Sequence, residues 1–265
     1  MNTQQQKSFK ILLIGDRCID KYHFGSCTRL SPEAPVPIFK LIRTKVKPGM
    51  VLNVKENMRS FGIHVKIVTN NGNKITKERF IDEQSGQQLL RLDTGENEPL
   101  EPLNTKNINI EDYDCIAISD YDKGFLDYKN CLELSSLCKK NNKPLFVDSK
   151  KKDLSCFEDA IIKINEKENK EAKKYPVKYD LITTLGDKGA VWRELVIPAV
   201  ITEVFDVCGA GDTFFAAFII EYLNTKNILT SIIFANKCAA ITVKKIGAEP
   251  ITKEEIKEIR NDIRI

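Results

Sequence analysis

The residues best suited to chemistry lie together late in the chain. Asp206-Val207-Cys208-Gly209-Ala210-Gly211-Asp212-Thr213 runs directly into the apolar stretch 214–223. Two glycines in the loop leave room for a close ligand and for unusual backbone angles. The stretch after them reads as a helix, whose first amides and positive dipole end would face an anion. Asp212 falls in that first turn, where its own charge would repel a phosphate. It makes sense there as a general base that takes a proton from a nucleophilic hydroxyl. The amides of Gly209, Ala210, Gly211 and Asp212 would then stabilise the charge on a transferring phosphoryl group. The alternative is an acid placed in a first helical turn only because the dipole favours it there.

Several other chemistries are disfavoured. A dinucleotide fingerprint needs a third glycine where Phe214 stands, and the loop comes late in the chain. There is no G-x-x-x-x-G-K-[ST] phosphate loop, and neither H-R-D nor D-F-G occurs. The only histidines are His23 and His64, which argues against a Ser/His/Asp triad. The eight cysteines form no C-x-x-C pair and no regular framework. They read as reduced, largely buried thiols of a cytoplasmic protein rather than a zinc cage or a set of disulfides.

The elements that must position this loop follow from hydrophobic period. Short apolar runs at 9–15, 113–119, 144–147, 160–164 and 180–184 predict buried strands. Asp16, Asp120, Asp148 and Asn165 follow four of them. Strands that deliver polar residues at their ends predict an α/β fold with an open, mostly parallel sheet and a site along its carboxyl edge. Helices are expected at 49–62, 126–140, 211–223, 228–246 and 253–261, and short β segments within 190–204. Segments 20–42 and 74–93 break the pattern. Pro32, Pro35 and Pro37 exclude a helix in the first, and a hairpin about Gln84-Ser85-Gly86 is expected in the second. Together they read as a small β sheet protruding from the body as a lid.

DVCGAGDT at 206–213 resembles the carboxy-terminal signature of the ribokinase-like sugar kinases, the PfkB family. The resemblance implies one kinase domain over 1–265, a three-layer α/β/α body with a β lid, and phosphorylation of a sugar hydroxyl with ATP and Mg²⁺. Thr184-Leu185-Gly186-Asp187-Lys188-Gly189 is similar to the family's T-L-G-x-x-G loop, which implies Thr184, Gly186 and Gly189 at the nucleotide. It implies Asn236 on the adenine side, and Asn165 and Glu168, an N-x-x-E pair, as organisers of Mg²⁺ through water. Lys245-Ile246-Gly247-Ala248 resembles a loop that helps hold a monovalent cation, K⁺, near Asp206.

The amino-terminal half is similar to one branch of the family, the D-glycero-D-manno-heptose 7-phosphate kinases. The likeness rests on Gly15-Asp16, Asp20-Lys21-Tyr22, TRLSPEAPVP at 28–37, QQLLRLD at 87–93, SDYDKG at 119–124 and Asp148-Ser149-Lys150. It implies Asp16 and Asp20 as acceptors from sugar hydroxyls, and Gly49 and Asn53 at the substrate. Arg29 and Lys150 would face a substrate or nucleotide phosphate. It also implies a homodimer through the lid. Two departures stand out. Met50 replaces a glycine in Gly49-Met50-Val51-Leu52-Asn53, so its thioether is expected to narrow the sugar pocket. The chain also reads as shortened after Gly72 and after Glu171. Both leave open a binding protein without catalysis, or a kinase for another sugar phosphate.

Composition agrees with a globular enzyme. Of 265 residues, 42% are hydrophobic and 29% charged, enough to bury a core without staples. Forty-one basic against 37 acidic residues leave a net charge of only +4, which does not suggest a nucleic-acid partner. No apolar run approaches the ~18 residues needed to span a bilayer, and the polar start MNTQQQKSFK carries no signal-peptide core.

Overall fold

The computed structural model describes residues 9–71, 75–245 and 247–263. The body is built on strands β1 (Lys10–Gly15), β4 (His64–Thr69), β7 (Cys115–Asp120), β8 (Leu145–Ser149), β9 (Ala160–Asn165) and β10 (Tyr179–Thr184), with β11 (Ala190–Trp192) and β12 (Leu195–Ile197) at one edge. The remaining strands, β2 (Arg17–Ser26), β3 (Lys40–Met50), β5 (Thr76–Asp82) and β6 (Gln88–Thr94), form the lid. The large sheet has eight strands in the order β12-β11-β10-β9-β8-β7-β1-β4, parallel from β10 to β4. Only β11 and β12 run antiparallel.

The central strands alternate between two cores. Ile11 and Leu13 of β1 enter one apolar cluster, Leu12 and Ile14 the other. On the first side pack α1 (Val51–Ser60), α4 (Ala210–Thr225), α5 (Ile228–Thr242) and α6 (Lys253–Ile263); on the second, α2 (Tyr128–Lys140). Strands buried on both faces read as continuous apolar runs, which is why they were legible in the sequence. The short α3 (Glu166–Glu171) buries none of its residues.

In the lid, β2 pairs antiparallel with β3 and parallel with β5, and β5 pairs antiparallel with β6. The lid borders differ from the expected 20–42. Residues 27–39 form a loop closed by the Leu30–Pro37 bridge, and the strand runs on to Met50. The helix expected at 49–62 therefore starts at Val51. The helix expected at 228–246 ends at Thr242, and no strand follows Ile197 within 190–204. Gly72, where the chain was read as shortened, lies outside the described residues, as does Ile246 of the expected cation loop.

Candidate active site

The carboxyl ends of β1, β7, β8 and β9 meet the amino end of α4 beneath the lid. Gly209 caps α4 in the left-handed region, at φ 80, with Asn53 Nδ2 packed where a side chain would begin. Three residues on, Asp212 is 8% exposed. Asn53 Nδ2 donates to its Oδ2 at 2.7 Å, and the Tyr121 hydroxyl donates to its Oδ1 at 3.2 Å. Burial, aided by the charge of Asp148, raises the Asp212 pKa to about 6 against the pull of Asn53, Lys163 and Tyr121. A carboxylate with that pKa is ionised at neutral pH yet far more basic than a surface aspartate.

Lys163 is the cation of this cluster. It is buried in β9, where it pairs with Asp148 of β8 at 2.7 Å. A side chain at Gly211 would stand 3.2 Å from its ammonium, so the glycine lets a positive charge lie against the first turn of α4. Burial works against that charge, but Asp148 raises the Lys163 pKa in balance. Lys150 lies 4.2 Å from the centroid of the Tyr121 ring, its pKa lowered by desolvation and by repulsion from Lys77. Both lysines can meet an anion brought to the helix terminus.

The expected sugar residues sit in different settings. Asn53 touches Asp212, as described. Asp20 on β2 is buried and pairs with Arg79 of β5 at 2.6 Å. A side chain at Gly49 would collide with the Asp20 carboxylate and Cys18 Sγ, so this glycine makes room for Asp20. Asp16 is fully buried, accepts the Tyr121 amide at 2.6 Å on Oδ2, and has no hydrogen-bond partner on Oδ1 among the described residues. Burial and the neighbouring Asp120 raise its pKa to about 6. Arg29 is exposed on the loop after β2, and no side-chain contact ties it to the Asp212 cluster.

The expectation for Met50 needs correction. Its backbone sits at φ 56, ψ −130, a conformation suited to the glycine it replaces. Its side chain is buried in the apolar cluster that holds Ile14, Cys18 and Ile75. The thioether is thus part of the core rather than a projection into open substrate space.

On the nucleotide side, Thr184 ends β10, and Gly186 and Gly189 bound the tight turn that follows. An apolar cleft of about 470 Å³ opens beside them, lined by Val196, Pro198, Val200, Leu229, Ile233 and Asn236. Asn236 Nδ2 donates to the carbonyls of Ile197 and Pro198, both at 3.1 Å, so this amide holds the cleft wall in place. Gly189 packs directly against the backbone of Ile197, Pro198 and Ala199, so the cleft wall adjoins the turn.

Asn165 and Glu168 form a reciprocal capping box on α3, at 2.8 Å in each direction. The cap uses only one Glu168 oxygen. No group of three or more His, Cys, Asp or Glu side chains poised for a metal occurs among the described residues. Both oxygens of Asp206 accept backbone amides, from Cys208 at 2.9 Å and Gly247 at 2.8 Å, which clasps the two loops together.

Tyr121, Asp148, Lys163 and Arg79 were missed as site residues. Lys163 carried a signal, since a lysine inside the buried run Ala160–Asn165 needs a partner. Tyr121 stood in SDYDKG at the end of a predicted strand, but only the tertiary fold brings its hydroxyl to Asp212.

The chain matches the pfkB family of carbohydrate kinases over residues 53–255. Bifunctional protein HldE of Nitratiruptor is 33% identical over 307 positions, covering 96% of this chain and 66% of that protein. The HldE protein of Campylobacter jejuni is 32% identical over 307 positions, with 97% and 66% covered. The chain thus spans 66% of the length of these relatives. The aligned 307 positions exceed the 265 residues here, so the relatives carry segments this chain lacks. Escherichia coli phosphofructokinase-2, solved with potassium, superposes with a TM-score of 0.73 at 16% identity, over 97% of this chain and 100% of that one. Arabidopsis thaliana ribokinase, solved with ribose and ATP, gives 0.70 at 14% identity, over 96% and 99%. The fold is ribokinase-like, as expected, and the chain belongs to the pfkB family of carbohydrate kinases, enzymes that phosphorylate sugars with ATP.

Proposed function

We propose that this kinase phosphorylates the anomeric hydroxyl of a sugar phosphate of the heptose 7-phosphate type. The observation that carries the reading is the buried Asp212 at the amino end of α4, held by Asn53 and kept near pKa 6. Asp212 takes the acceptor proton, and the amides of Gly209, Ala210, Gly211 and Asp212 receive the developing negative charge. Lys163 adds its charge beneath them. Asp20, oriented by Arg79, accepts a sugar hydroxyl, and Gly49 gives Asp20 its room, while the fully buried Asp16 holds the Tyr121 turn in place. Arg29 and Lys150 are the candidates for a substrate or nucleotide phosphate. The amino-terminal likeness to heptose 7-phosphate kinases supports a heptose phosphate as acceptor.

ATP lies along Thr184, Gly186 and Gly189 with its base in the cleft beside Asn236. Mg²⁺, held through water by Asn165 and Glu168, supplies charge neutralisation on the phosphates. K⁺ belongs near Asp206. The protein works in the cytoplasm, a reading supported by its eight free cysteines. Among the described residues no helix is long and apolar enough to cross a membrane. Val46 of β3 and Leu90 and Leu92 of β6 are exposed on one face of the lid sheet, and such a face supports pairing of two lids in a homodimer.

The test is ADP release with ATP and Mg²⁺ on a panel of heptose, hexose and pentose phosphates. The highest kcat/KM is expected on heptose 7-phosphate. ADP release that no sugar phosphate accelerates would overturn the proposal.

A further inference from the structure

Both oxygens of Asp212 are engaged, yet an acceptor hydroxyl must bond to one of them. The two engagements differ in kind. Asn53 is buried on α1 and bonds at 2.7 Å. Tyr121 lies just beyond β7, on a turn with Asp122 at φ 56 and Gly124 at φ 95, and bonds at 3.2 Å. An O–H···O⁻ bond is normally well under 3 Å, at roughly 2.5–2.7 Å, so the Tyr121 contact is the weaker of the two.

We propose that Tyr121 is a positioning residue that caps Asp212 against water, its hydroxyl holding the place of the acceptor hydroxyl on Oδ1 until a sugar displaces it. The proposal rests on the reading of Asp212 as the base. The chemistry explains why a cap is useful. With Oδ1 uncapped, Asp212 can take a proton from water. The water oxygen then bonds to the γ-phosphorus, the bond to the β,γ-bridging oxygen breaks, and ADP leaves with inorganic phosphate. A phenol on Oδ1 denies water that position.

Tyr121 is held well for this task. Its amide donates to Asp16 Oδ2 at 2.6 Å. Two ammonium groups lie over its ring, Lys150 of the body at 4.2 Å and Lys77 of the lid strand β5 at 5.5 Å from the centroid. The ring therefore touches both the sheet edge and the lid, so a sugar entering between them meets the cap. Burial, together with the Asp212 charge, pushes the phenol pKa well above its ordinary value. Tyr121 thus stays a donor and does not become a nucleophile.

Tyr121→Phe keeps the ring and both cation contacts and removes only the hydroxyl. Wild type, Tyr121→Phe, Asp212→Asn and the double variant are compared for ATP hydrolysis without sugar and for phosphorylation of heptose 7-phosphate. The single Phe variant is expected to hydrolyse ATP about 10-fold faster without sugar, the scale of one lost hydrogen bond to a charged group. Its KM for the sugar should fall while its KM for ATP stays put. In the Asp212→Asn background the same change should do nothing, because Tyr121 acts through Asp212. An unchanged ratio of hydrolysis to phosphorylation in Tyr121→Phe, beside an inactive Asp212→Asn, overturns the cap alone. A parallel loss of both activities with a lowered melting temperature also overturns it. An Asp212→Asn enzyme that keeps more than half its turnover overturns the base reading, and the cap with it.

Discussion

Replacing Asp212 with Asn should make the protein more stable and nearly inactive at once. The folded pKa is about 6 against an ordinary 3.8, with burial the largest cause. Each pKa unit corresponds to about 1.36 kcal/mol, so the buried charge costs on the order of 3 kcal/mol once it is fully ionised. The folded state holds the proton more tightly than the unfolded one. The cost is therefore absent below about pH 4 and complete above about pH 7. Asn keeps the shape and an acceptor for Asn53 but carries no charge. Melting followed by circular dichroism should show Asp212→Asn above wild type by several degrees at pH 8, since about 1 kcal/mol moves a chain of this size by roughly 2–4 °C. At pH 4 the gain should vanish. In the same preparation kcat should fall by at least ~10²-fold, the contribution of a general base. A lower melting temperature at pH 8, or an equal gain at both pH values, would refute the claim that the site holds a costly buried charge.

Other expectations follow from single contacts. Met50→Gly should be more stable to urea than Met50→Ala by about 1 kcal/mol or more, the reverse of the usual order, because both lose the same buried thioether but only Gly relaxes at φ 56; an Ala variant that is the more stable would contradict this. Lys163→Met removes the charge that lowers the Asp212 pKa, so the acid limb of the kcat/KM profile should move to higher pH, and an unmoved limb would argue against their coupling. Val46→Glu with Leu90→Glu should convert a lid-paired dimer to monomer in sedimentation at micromolar protein, whereas a wild type that runs only as a 30.1 kDa species would rule the dimer out.

Much of the body was readable because its strands are buried on both faces and end in polar residues. The runs containing Ile11–Ile14, Ile116–Ile118 and Ile161–Ile164 could be little else. The lid was legible as a β excursion but not in its borders. Its strand Lys40–Met50 alternates charged and apolar residues that face solvent, so the prolines upstream drew the boundary too early. The phosphoryl loop was found because two glycines, an aspartate and an apolar helix are local in sequence. The partners of Asp212 come from α1, β8, β9 and the turn after β7, and no local pattern joins Tyr121, Asp148 and Lys163 to it. Met50 shows the converse. The sequence located the altered position, but only the backbone angles and the packing tell where its side chain goes.

The most direct test of the central claim is ³¹P NMR of the product formed from ATP and heptose 7-phosphate by the wild-type enzyme. A second phosphorus resonance coupled to the anomeric proton, appearing as ADP forms and lost in Asp212→Asn, is the predicted result. Phosphorylation at another hydroxyl, or ADP formation with only inorganic phosphate as the new signal, would contradict it.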